Sequence, residues 1–188
     1  TMGRRMSRQL YFGDNLQILR NSEYIPSESV DLVYLDPPFN SEQDFNVLYE
    51  ERDGTLSHSQ MKAFEDSWHW TEEAQQSFEQ IVEEGPHRIS TAVSALRSFL
   101  GTSDMMAYLA MMAPRLVELH SKLKKTGSLY LHCDPSASHY LKMLLDASFG
   151  PEQFRNEIIW RRTGAPNNPR RYGPIHDTLL FYSKTNDY

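Results

Sequence analysis

The sequence predicts an α/β domain built on a mostly parallel sheet with a terminal antiparallel strand pair. Short apolar runs alternate with helical periodicities, the order expected when helices cross between parallel strands. The run at residues 30–36 is nearly continuous in apolar character, as in strands covered on both faces. The chain has 188 residues, 39% of them hydrophobic and 12% aromatic, which is enough to bury one core.

Each element has its own signal. Strand-like runs occur at 9–13, 30–36, 128–133, 154–160 and 177–183, rich in Val, Ile, Leu, Tyr or Phe and bounded by turn or charged residues. Asp14 stands ahead of Leu16, Ile18 and Leu19 as a helix N-cap would. Thr71 followed by Glu72 and Glu73 marks another helix start. The preceding Trp68-His69-Trp70 reads as a packing cluster at the helix entry, with a base-stacking surface as the alternative. Met105, Leu109, Met112, Leu116, Leu119 and Leu123 recur every three or four residues, so one helix face is apolar, and core packing accounts for its methionines. Lys122, Lys124 and Lys125 suit the negative end of that helix, and Gly127 reads as its stop. Pro114 inside the pattern predicts a kink or two abutting helices. Asp134 as N-cap and Pro135 in the first turn open a further helix that ends at Gly150-Pro151. The last two runs pair as antiparallel strands joined by a loop over 161–176.

Composition excludes several classes. One cysteine rules out a disulfide framework and a multi-cysteine metal site. The histidines form no H-x-H or H-x-x-x-H pair, so no metal is expected. No apolar run reaches membrane-spanning length, and the basic N-terminal segment TMGRRMSRQL has no apolar stretch behind it, which points to a cytoplasmic protein. None of the 9 glycines forms G-x-G, so the usual nucleotide loop is missing. The net charge of −6 argues at first sight against nucleic acid. Its distribution changes that reading. Residues 40–100 carry 12 acidic and 4 basic groups, whereas residues 101–188 carry 11 basic and 8 acidic. The stretch 40–102 therefore reads as an acidic helical insertion with solvated faces.

The strongest chemical signal is Asp36-Pro37-Pro38-Phe39 directly after the apolar run. Sites in open α/β sheets form beyond the carboxyl ends of strands, where this tetrapeptide falls. Two consecutive prolines stiffen the backbone, so Asp36 and the Phe39 ring project from a fixed frame. Such a frame suits an aromatic amine. A carboxylate and the Pro37 carbonyl accepting its N–H bonds would free the nitrogen lone pair, and a stacked ring would hold the base flat, a contact worth roughly 1–3 kcal/mol. A plain Asp-Pro turn is the competing reading.

These residues resemble the amino-directed DNA methyltransferases, whose D-P-P-F motif follows an apolar strand. Phe12-Gly13-Asp14-Asn15-Leu16 resembles the family segment that contacts the cofactor. The stretch Gly127-Ser128-Leu129-Tyr130-Leu131-His132-Cys133-Asp134 resembles the next strand and its active-site edge. The segment from Asn156-Glu157-Ile158-Ile159-Trp160 to Asp177-Thr178-Leu179-Leu180-Phe181-Tyr182 resembles the strand, loop, strand ending. The resemblance implies a partial Rossmann-like methyltransferase fold and S-adenosylmethionine as cofactor. It implies methyl transfer to N6 of adenine in double-stranded DNA with a flipped target base, in the setting of a restriction-modification system. N4 of cytosine is the nearest alternative, and a nucleic-acid-binding relic lacking the cofactor half is the non-enzymatic one. Missing G-x-G and the motif order match the permuted branch, so the chain reads as the N-terminal catalytic portion, with the glycine-rich loop and the target-recognition segment beyond Tyr188. That portion alone is expected to be inactive.

The resemblance assigns Asp36, Pro37, Pro38 and Phe39 to catalysis and Asp14, Asn15, Asp36 and Asp134 to cofactor binding. For Asp14 and Asp134 the competing role is capping. The loop over 161–176 interleaves basic and aromatic residues, and Arg161, Arg162, Arg170 and Arg171 are its candidates for DNA phosphates, against a solvated surface loop. His132 reads as a rim histidine or a catalyst, and Cys133 as buried packing. A second copy of the chain and a restriction subunit are the candidate protein partners.

Overall fold

The computed structural model describes residues 8–37, 69–162 and 175–188, together with the backbone of 45–46 and 62–64. In chain order its elements are α1 (Asn15–Arg20), β1 (Val30–Leu35), β2 (Phe45–Asn46), β3 (Lys62–Phe64), α2 (Glu72–Glu84), α3 (His87–Leu100), α4 (Asp104–Lys122), β4 (Leu123–Cys133), α5 (Pro135–Phe149), β5 (Phe154–Arg161) and β6 (His176–Ser183). Four strands form the main sheet in the order β1-β4-β6-β5, and β2 and β3 form a separate antiparallel pair.

The sheet is mixed. β1 and β4 are parallel, and β6 runs against both β4 and β5. Three strands therefore share one direction, and the reversed one lies between β4 and β5 rather than at the edge. The expected antiparallel pairing of the last two strands is present, with Ile158 opposite Leu179 and Trp160 opposite Asp177.

Local chemistry sets the helix starts. The Thr71 hydroxyl accepts from Ala74 N, Ser103 from Met106 N, and Asp134 from Ala137 N, so each satisfies one orphan N–H of its first turn. Trp70 packs at the entry of α2: its indole N–H donates to Gln75, its ring meets Phe78 edge-on, and the Arg97 guanidinium lies 4.3 Å above it. Trp68, the other ring of that cluster, lies outside the described residues. α4 passes through Pro114 as one helix, with Met106, Leu109, Met112, Leu116 and Leu119 buried. With Leu129, Leu131 and Tyr182 from the sheet they form a single core, joined by Ile89, Val93 and Leu96 of α3. Each such side chain contributes on the order of 1.5–3 kcal/mol of transfer free energy. α2 and α3, both within the acidic stretch, thus have apolar sides built into the core.

Three sequence expectations need correcting. Residues 9–13 form no strand: Leu10 and Phe12 are 98% and 88% exposed, and a short apolar run without a ladder partner makes no sheet. β1 is covered on one face only among the described residues. Core helices pack on the face of Val33 and Leu35, and Leu32 and Tyr34 on the other are 56% and 55% exposed. Gly127 does not stop the long helix, which ends at Lys122. β4 begins at Leu123, five residues before the predicted start, and Gly127 lies within it. A Cβ at Gly127 would come within 2.9 Å of Leu123 Cδ2 and 3.0 Å of the Val30 carbonyl, so a side chain there would crowd the β1–β4 pair.

Candidate active site

Parallel pairing of β1 with β4 sets the site. With Leu35 opposite Leu131, the next residues, Asp36 and His132, emerge side by side at the carboxyl ends of the two strands. His132 Nδ1 lies 3.1 Å from Asp36 Oδ1, and Nε2 lies 3.0 Å from Asp177 Oδ2 on the neighbouring antiparallel strand. Asp177 accepts from Arg162 Nη1 through its other oxygen at 3.3 Å. Side-chain exposure falls along the row, from 59% at Asp36 through 18% at His132 to 4% at Asp177. Asp36 therefore faces solvent from a supported position, and Pro37 behind it is buried. Pro38 and Phe39 lie outside the described residues.

Asp134 follows directly on β4. Its Oδ1 accepts from Ala137 N at 2.9 Å, and its Oδ2 accepts from the Ser136 hydroxyl. Both oxygens thus serve the start of α5, as the capping reading expected. Asp14 likewise caps α1, accepting from Leu16 N at 2.9 Å. It and Asn15 are also gripped by Arg115 from the middle of α4: Nη2 to Asp14 Oδ1 and Nε to Asn15 Oδ1, both 2.7 Å. The third guanidinium nitrogen donates to the Met111 carbonyl of its own helix at 2.6 Å.

The structure thus joins Asp36 to His132, Asp177 and Arg162, and holds the Asp14-Asn15 pair separately against α4. Arg161 ends β5 opposite His176 and is exposed; Arg162 is partly committed to Asp177. Arg170 and Arg171 lie outside the described residues. Sequence reasoning missed Asp177 and Arg115. The signal for each was a lone charge in an apolar element: a carboxylate heading Thr178-Leu179-Leu180, and an arginine inside the stripe of α4.

Cys133 is buried beneath this edge, its thiol donating to the Thr178 carbonyl at 3.6 Å. Burial, reinforced by the charges of Asp134, Asp177 and Glu157, pushes that thiol up to about 12, so it is no nucleophile. Among the described residues no group of three or more His, Cys, Asp or Glu is placed to hold a metal ion. No helix among them is long and apolar enough to cross a membrane. A cleft of about 400 Å³ between α1, α2 and α4 is lined by Arg20, Ile81, Pro86, Pro114 and Glu118, and includes none of the candidate residues.

Known proteins resemble this chain along most of its length. A family model described as DNA methylase matches residues 30–188. The Mod subunit of the Type III restriction-modification enzyme StyLTI from Salmonella typhimurium is 28% identical over 174 residues, 92% of this chain and 23% of that protein. The EcoP15I Mod subunit from Escherichia coli is 24% identical over 176 residues, 93% of this chain and 24% of that protein. Among solved structures, the PvuII DNA methyltransferase (cytosine-N4-specific) superposes with a TM-score of 0.50 at 17% identity, over 95% of this chain and 49% of that one. The chain spans about a quarter of the length of these Mod subunits and about half of the solved chain.

Proposed function

The chain belongs to the DNA methylase family, and on that premise we propose that it forms the catalytic part of an enzyme that methylates an exocyclic amine of DNA, N6 of adenine, from S-adenosylmethionine. The observation that carries this reading is Asp36: an exposed carboxylate at the carboxyl end of β1, backed by buried Pro37 and braced by His132. A base amine is buried in stacked duplex DNA, so the target must swing out to reach it. There the amine donates one N–H to the free oxygen of Asp36 and the other to the Pro37 carbonyl, and the base stacks on Phe39. These contacts localise the nitrogen lone pair. Holding donor and acceptor in line can be worth roughly 7–11 kcal/mol of the barrier.

The cofactor would supply an electrophilic methyl group on a sulfonium, which is cationic where it reacts. The exposed carboxylate of Asp36 (59%) matches that charge, and Asp14, one oxygen of which is held by Arg115, and Asn15 are further polar contacts for the cofactor. Asp134 keeps lone pairs for a cofactor hydroxyl beyond its two capping bonds. Arg161, Arg162, Arg170 and Arg171 supply cations for DNA phosphates. The Mod relatives are subunits of restriction-modification enzymes, which makes a restriction subunit the partner to seek, ahead of a second copy of this chain, in a cytoplasmic setting.

The test is methyl transfer by the intact protein. Asp36→Ala abolishes transfer from labelled S-adenosylmethionine to DNA while circular dichroism and unfolding stay unchanged; full transfer by the variant refutes the mechanism. Nucleoside analysis of the product gives N6-methyladenine under this reading, and N4-methylcytosine refutes the adenine assignment.

A further inference from the structure

Asp177 stands in a strand that would pack without it. Its neighbours in β6, Thr178, Leu179 and Leu180, are all buried, and a carboxylate among them carries a desolvation cost that only close partners offset. Two such partners are present. Arg162 contacts one oxygen at 3.3 Å, and His132 Nε2 contacts the other at 3.0 Å. The second contact has a directional consequence. A histidine ring can rotate about its bond to Cβ, but pinned at Nε2 it presents Nδ1 in one direction, towards Asp36 Oδ1 at 3.1 Å. With Oδ1 engaged, Asp36 has its other oxygen, Oδ2, left for a substrate.

We propose that Asp177 and His132 are positioning residues for Asp36. The buried carboxylate fixes the ring, and the ring fixes which oxygen of Asp36 meets the amine. The inference rests on the reading of Asp36 as the amine-binding carboxylate, and extends it inward by two residues from β4 and β6. Arg162 serves as the outer counter-charge of the row. Its guanidinium side chain is 55% exposed, so removing Asp177 leaves no buried cation stranded. Stability and positioning therefore separate: an apolar residue at 177 packs with its neighbours in β6, while the ring loses its pin.

The experiment compares Asp177→Leu, His132→Leu and His132→Asn with wild type in the intact protein. Single-turnover methyl transfer, KM for DNA and thermal unfolding are measured for each. Misplacement of a reacting group by about 1 Å can cost on the order of 100-fold, so Asp177→Leu and His132→Leu are expected to lower the transfer rate by about 10- to 100-fold, with KM and unfolding temperature little changed. His132→Asn carries an amide N–H near the Nδ1 position and recovers part of the loss. Equal rates for wild type and Asp177→Leu overturn the proposal, as does a His132→Asn variant no better than His132→Leu. Crystal structures of wild type and Asp177→Leu form a second arm that needs no activity. The Asp36 carboxylate is expected to rotate or shift in the variant, and an unmoved Asp36-His132 contact overturns the proposal. If the wild-type enzyme transfers no methyl group, the functional reading fails, and the crystallographic arm alone decides the positioning role.

Discussion

The clamp between α4 and the start of α1 lends itself to a quantitative test. Arg115 is 12% exposed and Asp14 42%, with 2.7 Å between Nη2 and Oδ1. A charge-assisted hydrogen bond contributes about 1.5–3 kcal/mol when shielded. Water at the half-exposed Asp14 screens this to about 1 kcal/mol. Asp14→Ala also removes the capping bond to Leu16 N, worth about 1 kcal/mol, so its total cost is about 2 kcal/mol. Arg115→Met loses the pair and the bond to Asn15, again about 2 kcal/mol. Because the pair is lost in both variants, the double variant is expected to cost about 3 kcal/mol rather than 4, a coupling of about 1 kcal/mol. Urea unfolding of the four proteins measures it. The one buried residue of α1 is Leu19, so the same variants should speed amide exchange across that helix. A coupling below about 0.3 kcal/mol shows that the contact carries no energy, and that Asp14 acts as a cap alone.

Two further outcomes follow from buried groups that the proposed transfer does not use. The Cys133 thiol, pushed up to about 12 by burial, should resist iodoacetamide at neutral pH and react only after unfolding; stoichiometric labelling of the native protein would contradict its buried position. His120 lies edge-on to Phe149, and burial, with a smaller contribution from the Lys184 charge, holds its imidazole below the ordinary 6.5. The unfolded chain therefore binds this proton more readily. The His120 contribution to stability is complete above pH 6.5 and declines as pH falls below it. His120→Phe should flatten that part of the unfolding-temperature profile, and an unchanged slope between wild type and variant refutes the assignment.

What the sequence disclosed was chiefly local. Both ends of α5 were readable, from Asp134 and Pro135 at its start and Gly150 at its stop, because each acts within one or two turns of its own position, and the start of α2 was readable from Thr71 for the same reason. The carboxyl end of β1 was readable because two prolines leave the backbone few options after Leu35. What stayed hidden depends on partners distant in the chain. Residues 9–13 have the composition of a strand, but pairing is decided elsewhere. The early start of β4 reflects pairing of Leu123 with Val30 and the close approach at Gly127, neither of which leaves a periodic trace. In the site, Asp36 announced itself, whereas Asp177 became visible only once β6 was seen antiparallel to β4, which brings it beside a histidine 45 residues earlier. The Arg115 grip on Asp14 spans 101 residues and was hidden for the same reason.

The reversed strand also orders events during synthesis. β6 is made after β1, β4 and β5, yet it lies between β4 and β5. Until residues 176–183 leave the ribosome, β5 lacks the neighbour it pairs with, and β4 keeps an open edge on that side. Docking of this late strand closes both gaps and delivers Asp177 to His132 in the same movement. A nascent chain therefore gains its braced carboxylate only once β6 has joined β4, and before that it carries Asp36 without the pinned ring beside it.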